Sequence, residues 1–383
     1  MTSSPYLDML DALLRPGIAG LSARFADSQV RFVAGCQQSD GGFRGRAGGS
    51  DAYYTDFALR TLAWLAPAHG ALDRAAGYLA RQPYPPRDVV ECFNLLHTQR
   101  LLKGRFAKVS GDAAGKEPSG DREAAVRSGE ETGFGLDVGR IANPSGKEAG
   151  FSDGLPIRPT GKPAPTVSPI LSPGGHAGCV DAGGTLDSLR LTEWLYGQLL
   201  PSGGFSRSFH DQRVSAYHTF LGALCFQMLG DEMPAIEDAA VALESLNRPD
   251  GGYAELAGQT ASQTSATAAA VAFLLMHDAL PEENAAKTAR FLAAMQSADG
   301  GLRPHAAVRG GDLLSTFTGL LTLWGLGGLE PIDVAAVARF LRSAAHPGGG
   351  FLACQADESP DVEYTYYGVG TLALLRAWNL AQE

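Results

Sequence analysis

The sequence predicts an all-α protein in which six outer and six inner helices form two concentric rings, an α6/α6 toroid. Two observations predict this fold. A glycine pair followed by an aromatic or aliphatic residue recurs, and its last four copies are 48 or 49 residues apart. Each copy separates two helical segments of different character. A fixed period of this length is typical of repeated supersecondary units, each of which needs its neighbours to bury its apolar face.

The glycine pairs stand where the first helix of each unit is predicted to end. They occur in the strings SDGGF, PSGGF, PDGGY, ADGGL and GGGF. Many helices end in the left-handed conformation that glycine accepts, so we expect each pair to terminate an outer helix. A threonine follows the second glycine after fifteen residues, or thirteen in the first copy, and opens the inner helix. These threonines are Thr55, Thr219, Thr267, Thr316 and Thr365.

The predicted outer helices are amphipathic. AIEDAAVALESLN, EENAAKTARFLAAMQ and IDVAAVARFLRSAA place apolar residues three or four positions apart, with charged residues between them. This spacing buries one face of a helix and leaves the other in water. The outer helices are predicted to start near residues 21, 72, 187, 234, 281 and 331.

The predicted inner helices are apolar on nearly every face, as in TFLGALCFQML, TAAAVAFLLM, TFTGLLTLWGL and TYYGVGTLALL. A helix of this kind is buried in a soluble protein. The second pair, within DRAAGYLARQPYPPRDVVECFNLLHTQRLL, lacks its glycines and is a degenerate copy. Six pairs can close into a ring without an exposed end, so residues 1–383 are predicted to form one toroid. The inner helices are predicted to start near residues 55, 87, 215, 262, 312 and 361.

Residues 103–184 interrupt the repeats between an inner and an outer helix. The segment is rich in Gly, Pro, Ser and charged residues and cannot bury much apolar surface, so a disordered insertion is predicted. A long excursion at this point costs little additional closure entropy. His176 and Cys179 lie inside it, and we interpret this isolated pair as incidental rather than as a metal site.

Composition excludes several classes of partner. The formal net charge is −10 and no basic block occurs, which disfavours nucleic acid and anionic membrane surfaces. Five widely spaced cysteines without a C-x-x-C pair indicate a reducing compartment. The N-terminus lacks a signal-peptide pattern, and no apolar run reaches the roughly 20 residues of a membrane span. We therefore predict a cytoplasmic protein without a membrane span.

The glycine–aromatic copies, their period and the downstream threonine resemble the prenyltransferase and squalene-cyclase repeat family, whose members form toroids around an apolar cavity. The resemblance spans nearly the whole chain outside the insertion and is closest to the β subunits of protein farnesyl and geranylgeranyl transferases. FHDQRVSAYHTF is similar to that family's Asp-x-Arg-x-x-Tyr stretch, and GGDLLSTF and SPDVEYTYYGVGTLALL resemble its two metal-bearing stretches. The resemblance implies an isoprenoid or prenyl diphosphate as ligand, and leaves a helical α-subunit-like partner open.

The metal ligands that the resemblance implies are incomplete. The family holds zinc with an Asp and a Cys two residues apart and a His directly before the later threonine. Those positions are Asp312, Leu314 and Tyr364 here. Leucine cannot coordinate a metal, and Asp312 before an apolar run is typical of a helix N-cap. We expect no cofactor and disfavour zinc, so any prenyl transfer would proceed without the usual zinc set.

Candidate substrate-binding residues cluster where the inner helices begin. Aromatic rings there would line the mouth of a central cavity and suit an isoprenoid chain. Guanidinium groups would hold a diphosphate, because they bind phosphate in bidentate fashion. The alternatives are core aromatics and solvated arginines. The predicted substrate-binding residues are Tyr53, Tyr54, Arg213, Tyr217, His218, Arg309, Tyr364 and Tyr367, with Arg46, Arg303 and Tyr366 as further options.

The sequence leaves open whether the chain is an enzyme. The leading prediction is a prenyltransferase-β-like toroid that binds an isoprenoid, as its prenyl diphosphate, in the central cavity and could transfer the prenyl group. The alternative is a non-catalytic toroid that binds a lipid or protein partner. A terpene cyclase is a weaker alternative, because the Asp-x-Asp-Asp acid of that branch is absent. A shifted metal site near His218 and Cys225 is weaker still. A basic pocket beside an aromatic mouth would favour transfer, and a cavity filled by tyrosine and leucine side chains would favour the non-catalytic toroid.

Overall fold

The computed structural model describes residues 5–112, 186–208 and 210–382, and these are all-α apart from isolated β-bridges. The predicted helix pairs are present with starts within a few residues of those expected, so the predicted fold class is confirmed. The helices are α1 (Tyr6–Ala19), α2 (Ala23–Gly35), α3 (Ala52–Leu65), α4 (Ala71–Leu79), α5 (Val89–Asp112), α6 (Ser188–Tyr196), α7 (Ala216–Leu229), α8 (Ile236–Glu244), α9 (Thr264–Met276), α10 (Glu282–Ala294), α11 (Leu313–Gly325), α12 (Val334–Ala344) and α13 (Val362–Gln382).

The odd-numbered helices from α3 to α13 form a closed inner ring. Each contacts the next, and α13 contacts α3, so no end of the ring is left open. The even-numbered helices from α2 to α12 form the outer ring, and each packs against the inner helix that follows it in the chain. Closure by six pairs, as the sequence predicts, buries the apolar faces of every inner helix between two neighbours and one outer helix.

The recurring threonine has a definite role in the turn. The Thr316 hydroxyl accepts a hydrogen bond from the backbone N–H of Leu302, the residue after its glycine pair, at 2.9 Å. The same bond forms in the other four glycine-bearing copies, at 2.8–3.1 Å. An unpaired buried N–H would cost about 1–3 kcal/mol, so the fixed spacing between glycine and threonine satisfies a buried donor.

Helix α1 lies outside the six pairs and is not predicted by the repeat. It packs across the ring at the end where the inner helices terminate. A Cβ on Gly17 would lie 1.9 Å from the carbonyl oxygen of Ala373, so α1 and α13 cross at very close range. Trp64 of α3 donates its Nε1–H to Asp11 at 3.2 Å. Helix α1 therefore closes this end of the ring.

The last inner helix before the predicted insertion overlaps its start. Helix α5 continues to Asp112, so the first ten residues of the predicted insertion extend an inner helix. Residues 113–185, which include His176 and Cys179, lie outside the described residues. Of the helices that are described, none is long and apolar enough to cross a membrane.

Candidate functional site

Aromatic side chains from α3, α11 and α13 pack together inside the inner ring. The ring centroid of Phe57 lies 5.3 Å from those of Tyr366 and Tyr367, and Phe317 lies 5.7 and 5.8 Å from the same two rings. All four residues are at most 8% exposed. A cavity beside them has a volume of about 20 Å³, room for one water molecule. It is lined by Leu7, Leu10, Asp11, Arg60, Trp64, His97, Leu101 and Tyr366.

Arg60, whose side chain is 13% exposed, lies within this aromatic cluster. The Arg60 guanidinium carbon lies 5.0 Å from the Phe57 ring, 5.1 Å from Phe93 and 5.2 Å from Tyr366. Its countercharge is Asp56, one turn earlier in α3 and fully buried. Burial works against the charged guanidinium, but the neighbouring Asp56 carboxylate outweighs it and raises the pKa of Arg60. The interior thus holds its own cation, stabilised by ring faces and one carboxylate.

His97 completes this buried group. Its Nδ1 lies 2.7 Å from Asp56 Oδ1. The Arg60 Nε–H donates to the same His97 Nδ1 at 3.1 Å, and burial lowers the pKa of His97. The side chains of Asp56, Arg60 and His97 thus form one hydrogen-bonded group, which contains an ion pair, inside the ring.

The mouth of the ring lies where the inner helices begin, and it gathers most of the predicted aromatic residues. The Tyr53 hydroxyl donates to Glu363 Oε1 at 2.6 Å. Burial, followed by the charges of Glu363, Tyr367 and Tyr217, raises the pKa of Tyr53 well above its usual value. Tyr364 packs 6.3 Å from Tyr367. The structure therefore brings three predicted tyrosines, from α3 and α13, near the carboxylate of Glu363, and places Tyr217 of α7 near two of them.

Two other predicted residues have packing roles beside the mouth. The ring of Tyr54 packs edge-on against Tyr53 at 5.4 Å. His218 Nδ1 lies 2.8 Å from the Ser215 hydroxyl, which caps α7 and donates to Glu255. Cys225 is fully buried and contacts Cys92 on α5. No group of three metal-ligating side chains occurs in the described ranges, and the shifted metal site around His218 stays a prediction.

Glu363 and Glu255 are functional candidates that sequence reasoning missed. A glutamate in the first turn of a helix, as Glu363 is, is ordinarily explained by the helix dipole. Glu255 lies in the loop that precedes α9, where an acidic residue attracts no attention. The only available signal was their position next to the repeat tyrosines and threonines.

The arginines proposed for a diphosphate do not converge. Arg213 donates to both carboxylate oxygens of Asp211, at 3.0 and 2.9 Å. Arg46 is held by Asp357 and by Asp361, the latter at 2.9 Å. The remaining two are also separate: Arg303 donates to the carbonyl oxygens of Met295 and Ala294, and Arg309 lies exposed on the rim.

The residues at the family's zinc positions do not fit zinc. Both oxygens of the Asp312 carboxylate are engaged within α11, one by the Ser315 N–H at 2.7 Å and one by the Ser315 hydroxyl at 2.9 Å. Leu314 offers no donor atom, and Tyr364 offers a phenol in place of an imidazole. Zinc sites in proteins are built from thiolate, imidazole and carboxylate groups. Asp312 is a helix N-cap, as the sequence predicts.

Asp312 should make stability depend on pH. Burial raises the pKa of Asp312 to about 6, above its usual value near 3.8. Because the folded state binds this proton more tightly, the stabilisation is complete below about pH 4 and is lost as pH rises through about 6. We expect Asp312→Asn to lack this loss. The unfolding free energy of the variant minus that of wild type should increase by about 2–3 kcal/mol from pH 4 to pH 7. Urea unfolding at both pH values measures this difference.

The matched control is Asp333→Asn. Asp333 also caps a helix, through the N–H of Ala336, but its side chain is 41% exposed. This variant measures the effect of removing a cap charge without removing a buried carboxylate. A pH-dependent gain of the same size in both variants would contradict the role assigned to Asp312.

Comparison with known proteins gives matches over most of the chain. The family model described as the prenyltransferase alpha-alpha toroid domain matches residues 7–98, 184–304 and 235–383. None of the curated proteins compared with the chain matches it.

Two solved structures show the same fold. Candida albicans protein geranylgeranyltransferase-I complexed with GGPP has 12% identity and a TM-score of 0.58, covering 93% of this chain and 92% of that one. The type II terpene cyclase MstE from Scytonema, in complex with geranylgeranyl dihydroxybenzoate, has 11% identity and a TM-score of 0.50, covering 95% of this chain and 99% of that one. At these identities the likeness extends to the fold alone.

Proposed function

This chain belongs to the prenyltransferase alpha-alpha toroid family, and on that premise we propose that it is a non-catalytic member, which binds a ligand at the mouth of the ring. The observation that carries the proposal is the aromatic cluster packed around Arg60 inside the ring. Pockets for small molecules and cofactors usually have volumes of about 300–1,000 Å³. The cavity beside Arg60 has about 20 Å³.

An ion pair stabilises this cluster in addition to the aromatic contacts. To admit an isoprenoid, the ring would have to expel Arg60 from three aromatic faces and leave Asp56 without its countercharge. Breaking a buried ion pair by removing one partner typically costs about 3–5 kcal/mol. This cost would be subtracted from the binding free energy of any chain that entered.

The side chains that prenyl transfer would need, for binding a diphosphate and a metal ion, also favour the non-catalytic proposal. Of the four arginines considered for a diphosphate, Arg46 and Arg213 are engaged by aspartates. Leu314 and Tyr364 stand where metal ligands are expected. Neither zinc nor a diphosphate therefore has a prepared site among the described residues.

Isoprenoid binding is the second candidate, and two observations favour it. Both solved structures with this fold carry geranylgeranyl groups in their complexes. The interior here is also rich in aromatic rings, which suit an isoprenoid chain. For this candidate, binding must be accompanied by displacement of Arg60 or of the tyrosines at the mouth.

Calorimetric titration with geranylgeranyl diphosphate separates the two candidates. We expect no saturable heat at micromolar ligand, with or without zinc, because the aromatic cluster around Arg60 leaves a cavity of only about 20 Å³ beside it. Thermal unfolding of the same sample, followed by circular dichroism, checks that the protein is folded. Binding with a Kd in the micromolar range or below would overturn the non-catalytic proposal and support the isoprenoid-binding one.

A further inference from the structure

Helix α1 crosses the far end of the ring, opposite the mouth. Its first residue, Tyr6, donates its backbone N–H to the Gln227 side chain of α7 at 3.1 Å. Its later part lies against α13, where a Cβ on Gly17 would be 1.9 Å from the Ala373 carbonyl oxygen. In the ring order α3, α5, α7, α9, α11 and α13, the helices α7 and α13 stand opposite each other. Helix α1 therefore spans the width of the ring.

The two halves of α1 are held in different ways. The second half is tightly packed, because Leu14 is fully buried and Gly17 meets the α13 backbone at close range. The first half is tied to the ring through polar groups near the surface. Arg100 of α5 pairs with Asp8 and, at 3.9 Å, with Asp11. These aspartate side chains are 56% and 44% exposed, and ion pairs at such exposure contribute little stability.

A proline lies where the two halves of α1 meet. Pro16 is inside the helix and has no backbone N–H, so the carbonyl oxygen of Ala12 receives no helical hydrogen bond from it. The proline ring also crowds that carbonyl group, which favours a kink. At its other end the helix begins at Pro5 without a side-chain cap. Helix α1 is therefore weakest between its two differently held halves.

The cavity of about 20 Å³ lies beneath the first half of α1. Leu7, Leu10 and Asp11 form its α1 side, and residues of the ring form the rest. Among those ring residues are Arg60 and His97, which belong to the buried hydrogen-bonded group. Protein interiors are usually close-packed, so a gap at this place marks an incomplete fit between the first half of α1 and the ring.

We propose that residues 6–12 form a hinged lid over the far end of the ring, with the hinge at residues 12–16. When the lid is closed, it covers the cavity. When it opens, Arg60 and His97 become accessible to solvent from the end opposite the mouth, while Gly17 stays packed on α13. The inference goes beyond the proposed function and does not rest on it, because no group at the mouth takes part.

Hydrogen–deuterium exchange of the full chain, read out by mass spectrometry of peptides, measures the opening. In the wild type, amides of the lid should exchange at least about tenfold faster than those of residues 365–375 in α13. Addition of about 1 M urea should change the lid rate by less than about twofold, because local opening exposes little surface. The exchange of α13 should accelerate strongly with urea, since it requires global unfolding.

Pro16→Ala tests the hinge. The new N–H can donate to the Ala12 carbonyl oxygen and make the helix continuous, so lid exchange should slow about tenfold. The matched control is Pro281→Ala, because Pro281 precedes α10 as its N-cap and lies inside no helix. This control should leave the lid rate within about twofold of wild type.

A pair of double variants tests the polar ties of the lid. Asp8→Asn combined with Asp11→Asn removes both charges that pair with Arg100, and lid exchange should accelerate about fivefold. Asp27→Asn combined with Asp238→Asn changes two exposed aspartates elsewhere and alters the net charge equally. This control should leave the lid rate within about twofold of wild type.

Fraying of the helix end is the competing explanation for fast exchange. Fraying that starts at Tyr6 would not respond to a substitution at position 16, whereas a hinge would. Equal exchange of the lid and α13 in the wild type, an unchanged lid rate in Pro16→Ala, or equal acceleration by the two double variants would each overturn the inference. Circular dichroism checks that each variant is folded. Titration with geranylgeranyl diphosphate does not affect these comparisons, so the lid and the non-catalytic proposal can fail separately.

Discussion

Arg60→Ala is expected to destabilise the folded protein by about 3–5 kcal/mol. The substitution leaves the fully buried Asp56 carboxylate without its guanidinium partner and opens a cavity among Phe57, Phe93 and Tyr366. Uncompensated buried charge and lost packing act in the same direction. Urea unfolding followed by circular dichroism at pH 7 measures the change.

A double variant separates the charge from the packing. Asp56→Asn combined with Arg60→Met removes both charges and keeps most of the side-chain volume, so it should recover much of the lost stability. His97 can donate to the amide oxygen at position 56. The surface control is Arg87→Ala, whose side chain is 70% exposed and pairs with Glu91, and it should cost less than about 1 kcal/mol. Equal costs for Arg60→Ala and Arg87→Ala would contradict the role given to the buried pair.

Gly300→Ala is expected to destabilise the protein by about 3–5 kcal/mol. Gly300 has φ of 96°, and an added Cβ would lie 2.1 Å from the Ala336 carbonyl oxygen of α12. The alanine therefore meets both an unfavourable backbone conformation and a backbone atom that cannot move alone. The change is measured by urea unfolding, as above.

Gly258→Ala is the matched control for this substitution. Gly258 has a similar φ of 85° but no atom within 4 Å of an added Cβ. It should cost only the conformational term, about 1–2 kcal/mol. The difference between the two variants measures how much the close approach of turn and outer helix contributes. If both variants lose the same unfolding free energy, the close approach of this turn to α12 adds nothing to the effect of an alanine at position 300.

The repeat could be recognised from sequence because its signals are local. Glycine pairs, amphipathic segments and threonines each lie within one unit, and their order repeats. Helix α1 carries no such signal, since it belongs to no unit and its main partner, α13, lies at the other end of the chain. Its role depends on contacts between residues that are distant in the sequence, such as Gly17 and Ala373.

The candidate site could be predicted only in part. The tyrosines at the mouth follow from their positions beside the repeat threonines, because those positions begin inner helices. Asp56 and Arg60, in contrast, are one turn apart in α3 and look like an ordinary surface pair in the sequence. Their burial depends on α5 and α13, which bring Phe93 and Tyr366 against the guanidinium.

The sequence by itself determined the all-α class, the number of helix pairs and the closure of the ring, because hydrophobic periodicity and glycine placement act within each unit. Only the tertiary structure decided whether the ring is open or filled. That outcome depends on the sizes and charges of side chains that meet from different helices, and one-dimensional spacing does not specify which of them meet. Here aromatic rings and the Asp56–Arg60 ion pair meet inside the ring.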